Sequence, residues 1–306
     1  MNPIYEAHRR QASALKLRAV TERARDPIVG ACLFHEAERA EARALMALGP
    51  VDPVTRLRAT VERCGLLLDA RDVSSVLGER WPEVLDLSDA LGPEAEPLLT
   101  RLRPAVEGLA EEHRQVVQEL PVHLHLAAIH GTVAARRKTL GRLRGYVERF
   151  PGDWRAWQLI ALTELALGVH AAAWGAVRTA RDMAPEDEAG RLVELNVAID
   201  ALEPPHLHAL CEQCLLDLFH GGASAELALL VASGFVALAR RDEPMHAVSL
   251  DRARVACERG NALAPSGAEV QRYLRAMNAI VATLRAGKEP RGDILLRAGL
   301  HELAAR

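Results

Sequence analysis

Lysine is nearly missing from this chain of 306 residues: it occurs only at 16, 138 and 288, so arginine carries almost all of the positive charge. Aromatic residues are also scarce, at 4%, which leaves few of the stacking platforms that single-strand nucleic-acid binders use. Neither sign of charge is in large excess. Thirty-eight basic against 41 acidic residues leave a formal net charge of −3, which argues against a globally basic nucleic-acid binder. Cys32, Cys64, Cys211, Cys214 and Cys257 are too few and too scattered for a disulfide framework, and a reducing cytoplasm is the expected compartment. The longest nearly uninterrupted apolar run, Leu227 to Ala239, falls short of the roughly 20 residues a membrane helix needs and predicts a buried helix. No contiguous apolar segment with a small-residue cleavage site opens the chain, so neither an export signal nor a membrane anchor is expected.

The strings G-x-x-x-x-G-K-[ST], G-x-S-x-G and H-E-x-x-H are absent as well, and with them the usual markers of nucleotide hydrolysis, serine hydrolysis and zinc proteolysis. The expectation is a non-enzymatic protein without a cofactor.

What the chain does contain is Ala, Leu, Glu and Arg in quantity, the residues that lose least on entering a helix, which predicts an all-α protein. Asp26-Pro27, Gly49-Pro50, Asp52-Pro53 and Gly92-Pro93 punctuate its first 120 residues. Helices are expected there near 3–25, 27–48, 52–70, 73–90 and 95–119. Beyond them a period of 34 residues emerges. Pro151 and Pro185, Ala127 and Ala161, Thr139 and Ala173, Leu143 and Val177, and Tyr146 and Ala180 are each 34 apart. Another 34 carries Ala173, Val177 and Ala180 to Leu207, Cys211 and Cys214, a stripe at i, i+4, i+7. A further copy runs from Leu227 to Pro265, with Ala253, Cys257 and Gly260 in the same roles and extra residues near Arg240 to His246.

The best copy, residues 150 to 185, resembles a tetratricopeptide repeat: Trp157, Ile160, Ala161, Gly168, Ala173, Val177, Ala180 and Pro185 stand at the family's signature spacing. Glu164 departs from it, standing where the family has a large apolar residue. The resemblance covers about 121–265 and implies an α-solenoid of antiparallel helix pairs. The expected organisation is an irregular helical region over 1–120, a repeat array over 121–288 and a capping helix over 289–306. The resemblance also implies a concave groove that binds a protein or peptide. Carried onto this chain, its lining is Arg155, Gln158, Leu162 and Leu165, with Leu124 and Ala128 from the preceding copy and Asn196 from the next. Family members that clamp a peptide carboxylate use Lys and Asn at the matches of Gln158 and Leu162, so that ligand is disfavoured.

Two other constellations compete with the groove. Arg136, Arg137, Lys138, Arg142, Arg144 and Arg149 against Glu148 alone make a basic ridge with a local charge of +5, able to attract phosphates or an acidic peptide. Lys138, Arg142 and Arg149 share one helical face, yet no aromatic residue interleaves the ridge, and nucleic acid is the less expected ligand. His206, His208 and Cys211, followed by Cys214, resemble soft-metal spacing and would support a metal-dependent activity. The repeat instead places Cys211 and Cys214 on the packing stripe, where a buried cysteine behaves as a small hydrophobe, so no metal site is expected. The composition leaves oligomeric state open.

Overall fold

The computed structural model describes residues 2–119, 131–220, 224–241, 243–264 and 268–288. Among these it is helical without strands, and consecutive helices pack against one another. The chain divides into two compact units. The first holds the described residues up to 119 together with 137–160 and 182–184; the second holds 131–136, 161–181 and those from 185 onward.

The first unit opens with α1 (Pro3–Arg23), α2 (Pro27–Leu48) and α3 (Pro53–Ala70). Each start has one local cause. Asn2, Asp26 and Asp52 accept backbone N–H bonds of the first turn through their side chains, and the proline that follows needs no donor there. These boundaries agree with the sequence expectation. The α3 helix ends at Arg71, whose φ of 60° makes it the one non-glycine among the described residues in the left-handed region. The turn is closed by Arg71 N–H to Leu68 C=O and Asp72 N–H to Leu67 C=O, the Schellman pattern. The strain is offset by the Arg71 guanidinium, which bonds to Glu112 and to the Arg149 carbonyl and lies 5.1 Å from the centre of the Phe150 ring.

The segment expected as one helix over 73–90 is α4 (Val73–Ser75), a π-helical turn over Val76–Arg80 and α5 (Trp81–Leu91). Pro82 is the reason. It has no N–H and its ring crowds the carbonyl one turn back, and the chain widens so that Trp81 N–H bonds to Val76 C=O. After a 3₁₀ turn come α6 (Glu96–Leu99) and α7 (Leu102–Glu119). Phe34, Ala37, Leu33 and Leu66 anchor the α1–α3 core.

Then follow α8 (Val133–Arg149), α9 (Trp154–Ala166), α10 (His170–Met183), α11 (Glu188–Ala201), α12 (Pro204–His220), α13 (Ala225–Arg241), α14 (His246–Leu263) and α15 (Ala268–Arg285). The 34-residue stripe acquires a physical meaning here: it is the buried side of α8, α10, α12 and α14. Thr139, Leu143 and Tyr146; Ala173, Val177 and Ala180; Leu207, Cys211 and Cys214; and Ala253, Cys257 and Gly260 are all buried. The α9–α10 hairpin turns at Gly168, with φ 76° and the bonds Gly168 N–H to Leu165 C=O and Val169 N–H to Glu164 C=O. Glu164, the departure from the family pattern, is buried. The expected run Leu227 to Ala239 lies in α13 and is buried almost throughout; a Cβ on its Gly234 would collide with Cys211 Sγ. The predicted capping helix of 289–306 lies outside the described residues. No helix among the described residues is long and apolar enough to cross a membrane.

Candidate functional site

The expected groove positions fall in both compact units, Arg155 and Gln158 in the first and Leu162, Leu165 and Asn196 in the second. Leu162 and Leu165 are 8% and 7% exposed and Asn196 is 4% exposed, so these side chains are committed to the interior. Arg155 is paired with Glu79 at 2.7 Å and its guanidinium carbon lies 4.1 Å from the centre of the Trp154 ring. Gln158 is half-buried. Leu124 and Ala128 lie outside the described residues. Spacing located the helices that carry these positions.

The ridge has a different character. On a wheel of 3.6 residues per turn, Thr139, Leu140, Leu143, Tyr146 and Val147 of α8 occupy one side and are buried. Arg137, Lys138, Gly141, Arg144, Gly145, Glu148 and Arg149 occupy the other and are exposed, with Arg142 half-buried at the border. Arg137, Lys138, Arg142 and Arg149 form no side-chain ion pair or hydrogen bond among the described residues. Arg136 is spent otherwise, since its guanidinium donates at 2.8 Å to the Ala166 carbonyl in the last turn of α9. Between the basic side chains the exposed face is floored by Gly141 and Gly145, one helical turn apart. A Cβ at either would meet nothing within 4 Å, so no packing among the described residues requires glycine there, although each costs helix stability.

A network that the sequence did not announce fixes how α8 is rotated. Asp153, buried just before α9, accepts bonds from Tyr146 Oη at 2.6 Å and from Ser74 Oγ at 2.9 Å. Asp72, fully buried, caps the α4 turn by accepting from Ser75 N–H at 3.0 Å. His35 lies with Nε2 2.9 Å from the Gly152 carbonyl and 3.6 Å from Asp72 Oδ2. Gly152 is required for this approach, because a Cβ would collide with the Ala70 carbonyl. Burial first, then the charge of Asp153, pushes the Asp72 carboxyl up to about 7, while burial pulls His35 down to about 4. Near pH 5 to 6 both groups are therefore neutral inside. The Tyr146 hydroxyl is driven up by burial and by Asp153, and so remains a donor. The only hints in the sequence were the polar letters of Asp72-x-Ser74-Ser75 and Gly152-Asp153, which read as ordinary helix caps.

The metal-like string is dispersed along α12. His206 is exposed, His208 lies 3.7 Å from Glu212 and edge-on to Phe235, and Cys211 is buried against Gly234. Burial pushes the thiols of Cys211 and Cys214 well up, Cys214 to about 12. No group of three potential ligands converges among the described residues.

Neither family models, curated proteins nor solved structures match the chain.

Proposed function

We propose that this chain is a non-enzymatic, cytoplasmic interaction protein, a tetratricopeptide-like solenoid of helix pairs, and that it holds an acidic segment of a partner protein on the exposed face of α8. One observation carries this reading: four basic side chains without an ion-pair or hydrogen-bond partner among the described residues flank two glycines that no packing among those residues requires. Unpaired positive charge attracts an acidic chain, and the bare backbone at Gly141 and Gly145 lets that chain approach closely. An acidic protein segment is favoured over nucleic acid because the described face carries no exposed aromatic ring and the whole chain is net negative. The five free cysteines support a reducing compartment.

The test uses a fluorescent acidic helical peptide and a single-stranded oligonucleotide of matching charge. The peptide is expected to bind with an affinity that falls with salt. Arg137→Glu with Lys138→Glu and Arg142→Glu should remove binding while helical content is kept, and Gly141→Leu with Gly145→Leu should weaken it with the charges intact. Binding of the oligonucleotide alone, or a peptide affinity indifferent to both variants, would refute the proposal.

A further inference from the structure

Within the first unit, α1, α2 and α3 line an open cleft of about 250 Å³. Its floor is made of missing bulk: Ala12 and Leu66 are buried beneath it, and a Cβ on Gly65 would meet nothing within 4 Å. The wall from α1 presents Arg9, Ala12, Ser13 and Lys16, the i, i+3, i+4, i+7 stripe of one helical face.

The two ends of the cleft carry opposite charge. At one end Arg9 donates to Glu41 at 2.8 Å and also to Glu62, so a single guanidinium stands between two carboxylates and leaves one negative charge over. Burial raises the Glu41 carboxyl pKa against the pull of Arg9 and, more weakly, of Lys16. At the other end Lys16 and Ser13 are exposed and form no ion pair or side-chain hydrogen bond among the described residues; the Lys16 charge acts on Glu41 from a distance but touches no carboxylate. Seven residues of helix separate Arg9 from Lys16, about 10 Å at 1.5 Å per residue. An extended chain of three residues spans about the same distance.

We propose that this cleft binds a free peptide of about three residues, its ammonium group at Glu41 and Glu62, its carboxylate at Lys16 and Ser13, and its central side chain over Ala12, Gly65 and Leu66. The inference does not depend on the α8 face. A simple anion is disfavoured by the two carboxylates, and a polyamine by Lys16.

Isothermal titration calorimetry of the full chain with Ala-Leu-Ala, its N-acetylated form and its C-terminal amide tests the proposal. The free tripeptide should bind saturably, and blocking either end should cost about tenfold or more. Lys16→Ala should erase the distinction between acid and amide. Gly65→Leu, which fills the floor and removes a helix-weakening glycine, should abolish binding with the melting temperature kept or raised. The proposal is overturned if the tripeptide shows no saturable binding at millimolar concentration, if the doubly blocked peptide or butyrate binds as well as the free tripeptide, or if both variants retain full affinity and end preference.

Discussion

His35 and Asp72 show how two buried titrations can hide each other. In the unfolded chain His35 takes up its proton near its ordinary 6.5, and in the folded protein only near 4. Folding therefore releases a proton between those values, and this residue alone would make stability rise with pH across that window. Asp72 does the reverse: its ordinary value of 3.8 is raised to about 7, so folding takes up a proton and its contribution is lost as pH rises. From about pH 4 to 6.5 the two nearly cancel, because the pair carries one proton whether folded or not. Asp72→Asn uncovers the histidine. The variant should gain stability on the order of 3 kcal/mol between pH 4 and 6.5 relative to its own value at pH 4. Urea denaturation at half-unit pH steps checks this, and a variant as flat as the parent would show that His35 is not held neutral. Neither group was legible beforehand. A histidine within Phe34-His35-Glu36 reads as an exposed helix residue, and its partners come from Asp72 and Gly152, which only the tertiary fold brings near. Arg71 was hidden for a related reason: a left-handed turn is signalled in sequence by Gly or Asn, and here an arginine holds it through contacts 41 and 78 residues away.

Single helices were far easier to read. The pairs Asn2-Pro3, Asp26-Pro27 and Asp52-Pro53 state their own starts, because the capping oxygen and the missing donor act within one turn. The stripe through Ala173, Val177 and Ala180 likewise states its buried side, since close helix packing selects small residues on a fixed spacing. The burial of Leu162 and Leu165 was not legible, because exposure depends on what other segments cover. For α8 the same local physics gives a prediction with two readouts. Gly141→Ala and Gly145→Ala add only methyl groups in open space, and each should raise stability by about 0.5–1 kcal/mol. Thermal melting measures that gain, and the acidic peptide should bind the stabilised double variant less tightly. Stabilisation without loss of binding would separate the glycines from partner recognition.

At the scale of the molecule, cysteine placement is the clearest global signature. Cys64, Cys211, Cys214 and Cys257 are buried and Cys32 is half-buried, and burial raises the pKa of every thiol. Native protein at pH 7.5 should react with a disulfide reagent rapidly at no more than one site, Cys32, whereas guanidinium-unfolded protein should release all five thiols. Prompt reaction of Cys211 or Cys214 in the native state would contradict the packing of α12 against α13.

The widened turn at Val76–Arg80 bears on why the first third of the chain keeps no common beat with the rest. Val76 and Val84 are both fully buried, yet eight residues of regular helix would point them about 80° apart. Swallowing one residue in the wide turn leaves the equivalent of seven and brings them within about 20°. Pro82 thus works as a phase shifter. Any comparison that counts residues at constant angular step drifts out of tune on crossing it, although the two valines still look the same way.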